Sequence, residues 1–326
     1  MISLRQRGRW LGYAFACLAA VLLTACSGSG GSGQAAQDAG PGFPVTVKHA
    51  MGETTIPKRP QRVVVLDTPE MDAVTLLGIE PVGAAVVDPA TGQFPAYLKD
   101  KMARTEKVGS LDEPSVEKIA ALKPDLILSS KVRHEQIYAQ LSKIAPTVFA
   151  ETPGAPWKDN LKLYAKALGK EQEAAQALAR YQERARELGE AIKAKHGGQA
   201  PTVSVVRFVD GPTRFYQKKN FSGTVLSDVG VRRPPLQDKD DFSLDVGPEL
   251  ADQADADYVF VMAYGDPSKT QKQAFQASPL WQRMNAVKNN RVFEVEDEVW
   301  MLGIGVQGAH LILDDLARAA GVDPRR

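Results

Sequence analysis

The feature that most limits how this chain can fold is the stretch from Trp157 to Lys195. It shows no β-like alternation and is built mainly from Ala, Leu, Glu, Lys, Gln and Arg, all strong helix formers. Gly169 divides it into a short helix and a long one from about Glu171 to Lys195, and His196-Gly197-Gly198 closes the second. Short apolar runs alternate with amphipathic helical stretches on both sides. Before the divide, Arg62-Val63-Val64-Val65-Leu66 reads as a buried strand leading into a Pro-initiated helix from Pro69 to Leu77. Val82–Val87 follows, then a helix Ser115–Leu122, strand Asp125–Leu128, helix Glu135–Ile144 and strand Thr147–Phe149. After the divide come strand Val203–Phe208, helix Gly223–Val229, strands Tyr258–Met262 and Arg291–Val295, and helix Gly303–Ala320. Strands that alternate with helices imply a mainly parallel sheet with crossovers. The sequence therefore predicts an α/β protein of two lobes, each a mainly parallel sheet flanked by helices, joined by one long backbone helix. The predicted boundaries are 43–156 for the first lobe, 157–198 for the linking helices and 199–326 for the second lobe.

The N-terminus carries a different kind of signal. Arg5, Arg7 and Arg9 precede an apolar run from Leu11 to Leu23, and then comes Leu23-Thr24-Ala25-Cys26. A run of about a dozen residues is short for a membrane-spanning helix but suits a signal-peptide core. The small residues before Cys26 resemble a bacterial lipoprotein processing site, so residues 1–25 are expected to be removed and Cys26 to carry lipid. Residues 26–42 begin with a Ser/Gly run that serves as a flexible tether. Such a chain is expected at the extracytoplasmic face of the cell membrane, or in a periplasm. Cys17 lies in the removed segment, so no disulfide framework or cysteine-based site is expected in the mature chain.

Charge and motifs narrow the function. Removing the three arginines of residues 1–25 takes the formal charge from +1 to −2, which offers no global basic surface for nucleic acid. The four histidines His49, His134, His196 and His310 fall in separate segments. The sequence holds no His-Glu-x-x-His, no Gly-x-Ser-x-Gly elbow and no glycine-rich phosphate loop. These absences argue against an enzyme, a cofactor site and a protein-held metal, and leave a secreted hydrolase or a surface adhesin as remote alternatives.

Several segments, taken together, resemble the iron–siderophore substrate-binding proteins of ABC importers. They are Val45–Pro57 followed by Pro60–Val65, then Glu117–Ile127, Tyr138–Val148 and Gly223–Pro234. The resemblance spans about residues 43–320 and implies two α/β lobes bridged by a helix, with the ligand in the cleft between them. The implied ligand is a ferric siderophore and the implied partner a permease dimer, met by a monomeric binding protein. Haem- and cobalamin-binding relatives share the fold.

In sheets of this kind the cleft forms beyond the carboxyl ends of the strands. Arg133 follows strand 125–128 and Arg207 comes just after the apolar run 203–206, and both match positions where the resembled family places arginines against ligand oxygens. Arg214 and Tyr216 follow on the next loop, Tyr264 follows strand 258–262, and Trp300 follows strand 291–295. Trp157 and Phe221 are weaker candidates, because large aromatics belong more often to a core. A siderophore already supplies hard oxygens to its iron, so the protein need only recognise chelator oxygens and aliphatic linkers. Arginine forks and aromatic faces suit that task. The mix of two or three arginines with aromatics favours a weakly charged hydroxamate complex of the ferrioxamine kind over catecholate or carboxylate complexes. The resemblance also assigns Glu117 and Glu249, one per lobe, to docking on permease arginines, with Asp245 as the alternative to Glu249.

Overall fold

Val63, Val64 and Val65 are buried on both faces, the pattern of an inner strand in a parallel sheet covered on both sides. In the computed structural model, which describes residues 40–87 and 91–325, they form the central strand of the first lobe. That sheet holds β3 (Val63–Val65), β4 (Gly83–Val86), β5 (Glu106–Ser110), β6 (Leu126–Ser130) and β7 (Thr147–Ala150) in the order β5-β4-β3-β6-β7. Every pairing in it is parallel. A hairpin not expected from the sequence, β1 (Val45–His49) with β2 (Gly52–Ile56), precedes it. The Ala50 amide donates to Phe149 O at 3.0 Å and Thr54 Oγ1 to Thr147 O at 3.0 Å, so the hairpin covers the open edge at β7.

The second sheet runs β10-β9-β8-β11-β12, with β8 (Val203–Phe208), β9 (Thr213–Tyr216), β10 (Ser243–Val246), β11 (Tyr258–Ala263) and β12 (Val292–Glu294). Its β8, β11 and β12 are parallel, but β9 and β10 are antiparallel additions. Arg214 and Tyr216, expected on a loop, therefore lie on a strand. The long helix spans Glu171–Lys195 as expected, and the shorter one before it, Trp157–Leu168, ends at Gly169 in the left-handed conformation (φ +64°). The helix expected over 135–144 is broken into a 3₁₀ turn, Glu135–Ile137, and one helical turn, Tyr138–Leu141. His134, just before it, is pinned by its ring to Leu111 O (2.7 Å) and Ser129 Oγ (2.6 Å), and the chain leaves helical geometry there. The last helix begins at Val306 rather than Gly303.

Alternation along the strands sends neighbouring side chains to different cores. Val64, Ile127 and Phe149 fill a cluster on one face of the first sheet, and Val206, Val259 and Phe275 one on a face of the second. Val63, Leu126, Val203 and Phe260 point the other way. They join Tyr181 and Leu188 of the long helix and Ile312 and Leu316 of the last helix in one continuous cluster. Among the described residues no helix is long and apolar enough to cross a membrane. The expected signal peptide, Cys26 and the Ser/Gly run lie outside the described residues.

Candidate ligand-binding cleft

The carboxyl ends of β3, β6, β7 and β8 meet around a cavity of about 250 Å³. From the first lobe come Asp67, Thr68, Arg133 and the turn Thr152–Pro156; from the second come Arg207, Tyr216, Lys219–Phe221, Phe242 and the apolar trio Met301, Leu302 and Ile304. A neighbouring cavity of about 700 Å³ shares Leu302 with it and a third of about 620 Å³ shares Arg133. The clefts that take small ligands fall in roughly the 300–1,000 Å³ range.

Each lobe contributes one arginine held by one aspartate. Asp67 caps the helix Thr68–Leu76, accepting from the Thr68 amide at 2.7 Å, and its Oδ2 accepts from Arg133 Nε at 3.1 Å. Asp67 is buried, whereas the Arg133 side chain is 38% exposed, so its terminal nitrogens stay free to meet a ligand. Arg207 is held more tightly. Its Nε and Nη2 donate to the two carboxylate oxygens of Asp297, both at 2.6 Å, and Nη1 donates to the Tyr216 hydroxyl at 3.0 Å. The guanidinium also lies over the Tyr264 ring, 4.8 Å from its centre. Burial would lower the Arg207 pKa, but the Asp297 carboxylate outweighs it and raises the group above its ordinary value.

Beneath Asp67, Glu70 is fully buried and accepts from the Tyr164 hydroxyl of the linking helix. Burial and the charge of Asp67 raise its carboxyl to about 8, against the pull of Tyr164. His134 is buried too, which lowers its pKa and leaves a neutral ring that donates from Nε2 to Leu111 O.

Of the residues singled out from the sequence, Arg133, Arg207 and Tyr216 come together at the cavity, and so does Phe221. Three do not. Trp300 is fully buried, stacked on Phe260 at 4.5 Å, and its indole donates to Asp315 at 2.8 Å. It is a core residue, and the next residues along, Met301 and Leu302, face the cleft in its place. Arg214 pairs with Asp245 at 3.2 Å across β9 and β10, away from the cavity. Tyr264 lines the neighbouring 700 Å³ cavity. Trp157 is buried, with its indole donating to Thr224. Glu117 and Glu249 are both exposed, on the helix Val116–Ala121 and in the 3₁₀ turn Pro248–Ala254.

Asp67, the turn Thr152–Pro156 and Asp297 escaped the sequence reading, although each follows a strand and the rule that found Arg133 reaches them. Lys219 and Phe242 had no such signal, because they flank antiparallel strands. Among the described residues no group of three or more His, Cys, Asp or Glu side chains is placed to hold a metal ion.

Comparison with known proteins agrees with this architecture. The periplasmic binding protein family model matches residues 63–299. The probable siderophore-binding lipoprotein YfiY of Bacillus subtilis is 41% identical, over 92% of this chain and 94% of its own. The Fe(3+)-citrate-binding protein YfmC of the same organism is 30% identical, over 82% and 83%. Staphylococcus aureus SirA, solved in complex with staphyloferrin B, superimposes with a TM-score of 0.77 at 35% identity, covering 86% of this chain and 99% of that one. The chain belongs to the periplasmic binding protein family, as a substrate-binding protein and not an enzyme, and within it resembles the siderophore-binding members.

Proposed function

We propose that this protein captures a ferric siderophore in the cleft between its lobes and delivers it to an ABC importer, held at the membrane by lipid on Cys26. Iron would arrive wrapped in its chelator, and the protein would read the chelator's outer oxygens. The observation that carries this reading is the pair of arginines, one per lobe, that face a single cavity while anchored from behind by Asp67 and Asp297. Anchored guanidiniums keep their orientation without ligand, so less freedom is lost on binding.

The balance of arginines and aromatics read from the sequence favours a weakly charged hydroxamate complex of the ferrioxamine kind. The cleft alters that count, since Trp300 and Arg214 leave it and Lys219 enters. Arg133 and Arg207 are each paired with an aspartate, so the ammonium of Lys219 favours a chelate with anionic carboxylate oxygens, and the likeness to a ferric-citrate-binding relative supports the same class. The test is a fluorescence titration of the mature protein lacking Cys26 with ferric citrate-type, trihydroxamate and catecholate complexes, haem and cobalamin. Trp157 packs edge-on to the cavity residue Phe221 at 5.8 Å and is the expected reporter. Saturable quenching by ferric citrate-type chelates with Kd below about 1 μM is the expected result. Tightest quenching by a trihydroxamate would return the ligand to the ferrioxamine class. Quenching by haem or cobalamin alone would keep the fold and change the ligand, and silence across the panel would reject the reading.

Docking on the permease would fall to Glu117 and Glu249. Each is exposed and in the first turn of its element, where a negative charge is also favoured by the backbone dipole.

A further inference from the structure

Each arginine of the cleft has its charge matched by a carboxylate. Arg133 is paired with Asp67 and Arg207 with Asp297. Lys219 is different. Its side chain is exposed on the cavity wall, and no carboxylate lies within ion-pairing distance among the described residues. Its neighbour Lys218 pairs with both Asp238 and Asp240, at 3.1 and 3.2 Å. The uncompensated positive charge of the wall therefore sits on Lys219.

The rim that carries Lys219 is stiff. Buried Asn220 donates from Nδ2 to Gln217 O (2.9 Å) and to Phe242 O (2.8 Å), while its Oδ1 accepts from the Gly223 amide (2.8 Å) as cap of the helix Phe221–Val229. The Gln217 amide donates to Phe242 O at 3.0 Å and the Lys219 amide to Asp241 O at 2.9 Å. Two chain segments are thus joined into one edge that holds a cation beside an aromatic ring. Phe242 is half exposed and packs edge-on against Tyr216 at 5.3 Å.

We propose that Lys219 sets the charge preference of the site: its ammonium contacts a carboxylate of the bound chelate outside the reach of Arg133 and Arg207, while Phe242 covers the adjoining apolar linker. The inference rests on the siderophore reading above. Three hydroxamates neutralise Fe(III), whereas hydroxycarboxylate chelators carry more anionic oxygens than the iron neutralises. An unpaired ammonium distinguishes these two classes, and an arginine already matched by an aspartate does so less.

The test measures Kd of the mature protein for a ferric citrate-type chelate and for a ferric trihydroxamate. It uses wild type, Lys219→Met, Lys219→Glu and the control Lys218→Met. Lys219→Met should weaken the carboxylate chelate by about tenfold and Lys219→Glu by more. Both should leave the trihydroxamate within about twofold, and Lys218→Met should change neither. The loss at Lys219 should also reduce the salt dependence of carboxylate binding. A wild type that prefers the trihydroxamate overturns the ligand class proposed above. A wild type that binds the carboxylate chelate while Lys219→Met leaves it unchanged, or weakens both chelates equally, overturns the role of Lys219 alone.

Discussion

Glu70 is fully buried one turn into the helix that starts at the cleft, with Oε1 on the Tyr164 hydroxyl and no partner for Oε2. Its carboxyl sits at about 8 because burial and Asp67 both disfavour a second charge there. The native state therefore holds a proton that the unfolded chain releases near the ordinary carboxylate range. That contribution to stability is fully present below about 4.5 and is lost as pH rises through about 8. Glu70→Gln keeps the acceptor for Tyr164 and has no proton to lose. Urea denaturation should find it within about 1 kcal/mol of wild type at pH 5 and more stable by about 1–3 kcal/mol at pH 9. An equal difference at both pH values would remove Glu70 as the titrating group.

The last helix meets the first lobe through its N-terminus. Asp72, on the helix Thr68–Leu76, accepts from the amides of Gln307 and Gly308, each at 3.2 Å, and from the Tyr97 hydroxyl at 3.3 Å. The Gln307 side chain returns two donor contacts, to Asp72 O and Thr75 Oγ1, both at 2.9 Å. A carboxylate at a helix N-terminus satisfies orphan amides and meets the positive end of the dipole. Here the carboxylate comes from the opposite lobe. Burial raises Asp72 to about 7, against these hydrogen bonds. The approach depends on Gly305, where a Cβ would stand 2.2 Å from the Asp72 carboxylate carbon. Gly305→Ala should therefore destabilise the protein by about 1–3 kcal/mol in urea denaturation, and a variant as stable as wild type would refute this tight fit between the lobes.

Across the whole molecule, the two sheets share one apolar cluster with the linking helices and the last helix. The lobes are therefore packed together as well as tethered. Polar contacts reinforce this from both sides of the linker: Tyr164 reaches Glu70 in the first lobe, while Lys158 and Tyr181 reach Asp228 in the second, at 2.6 and 2.8 Å. A scaffold of this kind would hold Glu117 and Glu249, the proposed docking residues, at fixed positions. Reversing both to Lys should abolish siderophore import in cells and leave the Kd of the purified protein within about twofold, since exposed charges at a docking surface act on encounter and register. Import that survives the double reversal would exclude these glutamates from docking, and lost affinity would place them in the fold or the cleft instead.

Local pattern determined much of this protein without help from tertiary structure. The helix Glu171–Lys195 follows from helix-forming composition, and the strands Val63–Val65, Leu126–Ser130 and Val203–Phe208 follow from apolar runs bounded by turns. Arg133 and Arg207 were legible because they stand at the ends of such strands, where a parallel sheet opens its cleft. The broken helix after His134, the antiparallel strands β9 and β10 and the edge-covering hairpin were not legible, because each depends on partners far along the chain. The same holds for Trp300 and Lys219. Whether a tryptophan after a strand faces ligand or core depends on Phe260 and Asp315, and whether a lysine is free depends on where every carboxylate ends up. Chain neighbours fix periodicity, whereas burial and charge pairing exist only once distant segments have met.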